Sequence, residues 1–442
     1  MIRFRTLTYF LIYLSDTDMA NVVDTSLCTS NLCGWKVPQE LIDSIIDELH
    51  EDVAALRACA LVSSAWLLRS RRGLFHSLTL ICDAHTKDIH EFIRFLRSSY
   101  PVGACVRHLD MRSCNTTLRA VHDPFAPPPR LVPQGTVALE CIKDVVALLP
   151  NLLTLMLVGL RWREVYETLG MFHKHNLQKL IISDVTSELV DNVLSPAAIA
   201  QLIDLFPFLQ VLELSNIWII HQPYAAPSIV TFLAPETLIV SDHLHFKYIL
   251  IEAVRYLRIL SSIDGTISAV LDSRQLQPSN ITTLEVGTNT EFRLPTDAST
   301  KLAASLRSHP NLQTLVFRPY DEVKCAAKKE PLHPRQILTF CQNAFDIITC
   351  GPPALCHAIL ILSAEYRRGM RVQHWPNLKV MAGLPANVQV LVCEAGNAKT
   401  FSARCDCATQ WTLVGRVERE EGAVVFRRVA EDLTSSVIGG LG

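Results

Sequence analysis

Charge is scarce in this chain of 442 residues. Asp, Glu, Lys and Arg together make up 19% of it, against roughly 25% in ordinary soluble domains. The 43 acidic and 41 basic residues leave a formal charge of −2. That balance excludes a nucleic-acid binder driven by bulk electrostatics. Glycine and proline, 17 and 23 in number, recur without a period, which excludes collagen-like and low-complexity chains. No apolar run approaches the roughly 18 residues that a membrane span needs. Leu7 to Leu14, behind Arg3 and Arg5, is short, and the Ser-Asp-Thr-Asp-Met-Ala that follows is a poor signal-peptide cleavage site. It reads as an extension. The 14 cysteines are spread thinly, unlike a disulfide scaffold. Cys59, Cys82 and Cys393 sit in apolar runs, where a free thiol behaves as a small hydrophobe. No C-x-x-C pair exists, and neither Cys28 with Cys33 nor Cys405 with Cys407 has zinc-ligand spacing. The expectation is no metal and a reduced, cytoplasmic or nuclear setting.

Catalytic patterns are missing as well. There is no nucleophile elbow and no phosphate-binding glycine loop, and His90-Glu91 lacks the second histidine of a zinc protease motif. Cys356 and His357 are adjacent and point apart on any regular element. The chain reads as non-catalytic and without a cofactor.

What is present is apolar patterning, 49% of the residues. From Val37 to Leu80 it is helical. Leu41, Ile42, Ile45, Ile46 and Leu49 recur at three- and four-residue steps behind Pro38, with acids early in the helix. His50-Glu51-Asp52 breaks the pattern. A second helix is expected over Val53 to Val62, with Leu56, Cys59, Ala60 and Val62 buried. A third covers Ala65 to Leu68, ends in the basic run Arg69 to Arg72, and is stopped by Gly73. An extended segment, Leu74 to Leu80, follows.

The segment resembles an F-box of the fungal, mushroom-type F-box-like families. The resemblance rests on Val37-Pro38-Gln39-Glu40-Leu41, then Ile42, Ile45 and Leu49, then Leu56, Cys59, Val62 and Trp66 after the break. Val37 stands where leucine is commoner. The match covers about a tenth of the chain. It implies docking on a Skp1-like adaptor, and through it a cullin, by Pro38, Leu41, Ile42, Ile45, Leu49, Leu56, Val62 and Trp66. A module of this size cannot bury all its own apolar surface. The surplus meets either a partner or the domain that follows.

Beyond residue 80 a pattern L-x-x-L-x-L recurs at Leu152, Leu177, Leu209, Ile281 and Leu312. Weaker copies begin at Val106, Leu257 and Leu378. Helix-like stretches precede several of them: Ala138 to Leu149, Val165 to His173, Pro196 to Phe206 and Thr300 to Arg307. These are the marks of irregular leucine-rich repeats. Strand alternation turns the leucines inward and leaves the intervening residues on a second, concave face. Lys179, Ser183, Glu213, Ser215, Glu285 and Arg318 are the candidate target-binding residues there. A compact α/β domain with helices on both faces is the competing arrangement. Proline-rich or broken segments at His122 to Gln134, His221 to Pro227 and Lys328 to Pro334 read as loops.

The expected fold is therefore α/β, a small three-helix F-box-like module followed by an irregular leucine-rich-repeat-like solenoid. Its divisions are a poorly ordered extension over 1–34, the helical module over 35–80, the array over 81–385 and a β-rich cap over 386–442. The expected function is substrate recognition for an SCF-type (Skp1-cullin-F-box) ubiquitin ligase. A protein target of unspecified identity is the second partner, with no nucleic acid and no membrane. The alternative is a scaffold protein that recruits no ligase.

Overall fold

The computed structural model describes residues 2–3, 38–50, 52–82, 87–113, 136–163, 175–183, 185–187, 199, 202–203, 205–215, 230–232, 235–241, 249–251, 253–260, 280–288, 302, 304–319, 334–349, 351–363, 388–395, 411–420 and 423–428. The rest of the 1–34 extension, the helix expected over Val165 to His173, the copy at Leu378, and the loops at 122–134, 221–227 and 328–333 lie outside them. The chain is α/β and divides into two compact units, Met1–Glu213 and Leu214–Gly442. No helix among the described residues is long and apolar enough to cross a membrane.

The first unit begins with three helices, α1 (Gln39–Glu48), α2 (Val53–Val62) and α3 (Ser64–Phe75). The carbonyl of Pro38 accepts from the N–H groups of Leu41 and Ile42 and starts α1. Asp52 caps α2: its Oδ1 accepts from the N–H groups of Ala54 and Ala55, both at 3.0 Å. The break in the hydrophobic pattern is thus a helix cap. Ile42, Ile46, Leu56, Cys59, Ala60, Leu74 and Phe75 form the buried interior. Two expectations change. The third helix runs through Gly73 to Phe75, because that glycine makes room rather than a stop. A Cβ there would lie 3.0 Å from Leu56 Cδ1, a tight contact with the tip of that side chain that the glycine avoids. Val62, at the last position of α2, is exposed rather than buried.

The unit continues with β1 (Ser77–Cys82), α4 (Lys87–Ser98), α5 (Tyr100–Gly103), β2 (His108–Ser113), α6 (Leu139–Ala147), β3 (Thr154–Val158), β4 (Lys179–Ser183) and β5 (Val211–Ser215). The strands lie side by side in chain order. Those from β1 to β4 are parallel and unstaggered, with Ser77, His108, Thr154 and Lys179 in one row. Each step repeats one junction. The His76 carbonyl accepts from Arg107 and His108, Arg107 from Leu153 and Thr154, Leu153 from Gln178 and Lys179, and Gln178 from Gln210 and Val211. Apolar ladders follow from that register: Leu78, Leu109, Leu155 and Leu180 in one row, and Leu80, Met111, Leu157 and Ile182 in the next. All eight are buried. Helix residues Ile89, Phe92, Ile93, Leu96, Ile142, Val145 and Val146 are buried too. At Gly103 a Cβ would sit 2.4 Å from the Leu148 carbonyl oxygen, so only glycine permits this close approach. Gly159, at φ 63°, turns the chain out of β3 into a short strand, Arg161–Arg163, which pairs with Thr136–Ala138 and Thr186–Ser187. Ile2–Arg3 pairs in parallel with Leu78 and Thr79.

The second unit holds β6 (Thr237–Ser241), β7 (Tyr256–Leu260), β8 (Thr283–Thr288), β9 (Thr314–Pro319), α7 (Pro334–Ile348), β10 (His357–Ser363), β11 (Gln389–Ala395), β12 (Trp411–Glu420) and β13 (Ala423–Arg428). Strands β6 to β11 are parallel in chain order, with Thr237, Tyr256, Thr283, Thr314, His357 and Gln389 in one row. The ladders recur as Leu238, Leu257, Leu284, Leu315 and Ala358, then Val240, Ile259, Val286, Phe317 and Leu360. Among the described strands of this unit, pairing turns antiparallel only at β12 and β13. The segment over Gln389–Ala395, expected in a terminal cap, therefore continues the parallel stack.

Four features escape the sequence pattern. Strand β10 has Ala358 where the second leucine of a copy would stand. Strand β6 has Pro235 where the first leucine would stand. In β7 the inward residues are Leu257 and Ile259, so the copy begins at Val254, which is buried, not at Leu257. Helix α7, burying Phe340, Cys341, Ala344, Phe345 and Ile348, follows a segment that reads as a loop.

Candidate functional site

Two surfaces carry the candidate residues. The first is the outer side of the three helices. Leu41 and Ile45 lie one turn apart on α1 and are 56% and 50% exposed. Leu61 and Val62 end α2 at 68% and 63%, and Leu68 on α3 is 61% exposed. These are five of the six exposed large apolar side chains among the described residues; the sixth is Phe208. Pro38 is exposed, while Leu49 and Trp66 are half-buried. Ile42 and Leu56, expected to contact an adaptor, are buried among the helices instead and serve their packing. Leu61 and Leu68 went unnoticed in the sequence, because a surplus of apolar positions does not say which of them faces out.

The helices are held together by a charged clamp. Arg69 Nε on α3 donates to Asp47 Oδ1 on α1 at 2.6 Å, and Arg69 Nη2 donates to Asp47 Oδ2. The hydrogen bond from Arg69 holds the Asp47 carboxyl below its ordinary range and raises the guanidinium in return. Gln39 Nε2 adds bonds to Asp43 Oδ1 at 2.8 Å and to the Ala65 carbonyl at 3.3 Å. The rigid frame thus leaves the apolar residues outside it.

The second surface is the outward face of the strands. Along β3 and β5 burial alternates as expected, with Thr154, Met156, Val158, Val211, Glu213 and Ser215 half-buried. Ser183 is half-buried as well. Lys179 is buried, and its Nζ lies 3.4 Å from Glu213 Oε2. On β2 Asp110 is buried and accepts from Arg112 Nε at 2.7 Å. Burial pushes the Asp110 carboxyl above its usual range, and Arg112 opposes that rise.

In the second unit this face is not open at the candidate positions. Ile239, Val316, Ile359 and Ile361 are buried along with the inward ladders, the continuous apolar pattern of strands covered on both sides. Glu285 and Arg318, expected as exposed contacts, belong to a buried polar cluster. Glu285 Oε1 lies 3.0 Å from Arg318 Nε and 3.0 Å from Arg258 Nε, and Glu285 Oε2 accepts from the Tyr256 hydroxyl. Arg258 and Glu285 face each other directly across β7 and β8. Arg318 is opposite Gly287 and reaches back diagonally to Glu285. Tyr256 and Arg258 were missed because β7 was read in the wrong register.

No family model matches the chain, and no curated protein matches it.

Proposed function

We propose that the chain is a non-catalytic substrate-recognition subunit of an SCF-type ubiquitin ligase. In this reading the three helices are an F-box-like module that docks a Skp1-like adaptor and, through it, a cullin. The stacked strands are irregular leucine-rich repeats that hold a protein target. The chain contributes proximity, raising the local concentration of the target's lysines at the ligase. The cytoplasm or nucleus is the proposed setting.

The observation that carries the reading is the outer apolar surface of Leu41, Ile45, Leu61, Val62 and Leu68, on helices that already possess their own interior. Burying such a side chain is worth about 1.5–3 kcal/mol, so a partner that covers several has ample driving force. Helices presenting apolar side chains to a groove are a recurrent docking mode. The unstaggered rows and repeated junctions support the repeat reading, since each strand sits on the last in the same way. The exposure of Leu41 and Ile45 favours a docking surface over a helical module packed against the repeats.

The test is co-elution of the full chain with a Skp1-type adaptor. Wild-type protein is expected to co-elute. Ile45→Asp combined with Val62→Asp, both at exposed positions, is expected to fold and to lose the complex. Folded wild-type protein that fails to bind contradicts the proposal.

A further inference from the structure

Strand β1 (Ser77–Cys82) has β2 on one side and the two-residue strand Ile2–Arg3 on the other. In a parallel ladder each residue turns its N–H and its C=O toward the same neighbour, and the direction alternates along the strand. The His76 carbonyl accepts from the His108 N–H at 3.0 Å, and Ser77 stands opposite His108. The backbone groups of Leu78, Leu80 and Cys82 therefore face β2. Those of Ser77, Thr79 and Ile81 face the first edge of the stack. Thr79 is buried, 6% exposed, and buried backbone groups require partners. What meets this edge comes from a distant part of the sequence. Ile2 is in parallel register with Leu78, and Arg3 with Thr79. Ile2 thereby joins the row of Leu78, Leu109, Leu155 and Leu180. A parallel pair needs a long crossover, and the crossover between Arg3 and Ser77 contains α1, α2 and α3.

We propose that the first edge of the stack is a strand-docking site, and that its occupant is the chain's own N-terminal segment, a removable strap seated through Ile2 and Arg3. The strap supplies backbone partners to Thr79 and closes an edge that would otherwise template pairing with another chain. Main-chain hydrogen bonds carry this kind of docking, so it needs no pocket. The strap also ties the three helices to the stack at both ends, because Arg3 precedes them and β1 follows them. This goes beyond the ligase reading and does not depend on it.

The test is amide hydrogen exchange, resolved to single residues, on the full chain and on a full-length variant carrying Ile2→Pro and Arg3→Pro. Proline lacks the donor that a ladder needs and fixes φ, so the variant disables the strap and leaves the edge itself intact. The Thr79 amide is expected to exchange at least about tenfold faster in the variant. The Leu78 and Leu80 amides, which face β2, are expected to stay as slow as in wild type. Excess synthetic peptide of residues 1–8 is then expected to restore slow exchange at Thr79 in the variant. Equal exchange at Thr79 in the two proteins overturns the strap. Acceleration that spreads equally to Leu78 and Leu80 also overturns it, since that marks loss of the whole strand rather than of its edge partner. Faster exchange at Thr79 that the peptide fails to reverse overturns the docking site.

Discussion

At the scale of single residues, the polar contacts fall into two energetic kinds. Asp47 and Arg69 are the exposed kind: their side chains keep 52% and 32% of their accessibility, so solvent screens them and the bidentate pair contributes about 0.5–1 kcal/mol. Because the folded pKa of Asp47 is depressed, that contribution is present above the unfolded value of about 3.9 and is lost as pH falls through the folded value. Asp47→Asn is therefore expected to lower unfolding free energy by about 0.5–1 kcal/mol near pH 6. The difference should vanish in strong acid, as denaturant melts at both pH values would show. Glu285 and Arg318 are the buried kind, where removing one partner strands a charge. Their roles were illegible in the sequence. A Glu and an Arg on adjacent strands read as exposed when only alternation is considered, and burial of the second face is set by tertiary packing.

At the scale of elements, local chemistry was legible where it acts locally. The Asp52 cap and the apolar run fix α2 at the expected Val53–Val62. Gly73 misled, since the same residue type serves as a helix stop and as packing space, and only the position of Leu56 distinguishes the two. Strand β6 was hidden by Pro235, and β10 by Ala358, where leucines would have announced the pattern. The apolar rows predict a sharp contrast between positions of one residue type. Leu284 sits fully inside its row, so Leu284→Ala is expected to cost about 2–5 kcal/mol. Leu41→Ala, at an exposed position, is expected to stay within about 0.5 kcal/mol of wild type. Urea titration of the two variants checks both, and a large loss at Leu41 would place that residue in the interior.

At the scale of the whole molecule, scarcity of charge has a structural source. Two units of stacked strands bury leucine-rich rows, and three helices keep further apolar side chains outside their own interior. Within each unit the strand order follows the chain without reversing. The central claim is that the outer side of α1, α2 and α3 is a docking surface for a Skp1-type adaptor. Amide hydrogen exchange on the full chain, with and without saturating adaptor, tests it most directly. Slowed exchange concentrated in residues 39–48 and 61–68 is the predicted result. Unchanged exchange there at saturating adaptor, or slowing confined to other parts of the chain, would contradict it.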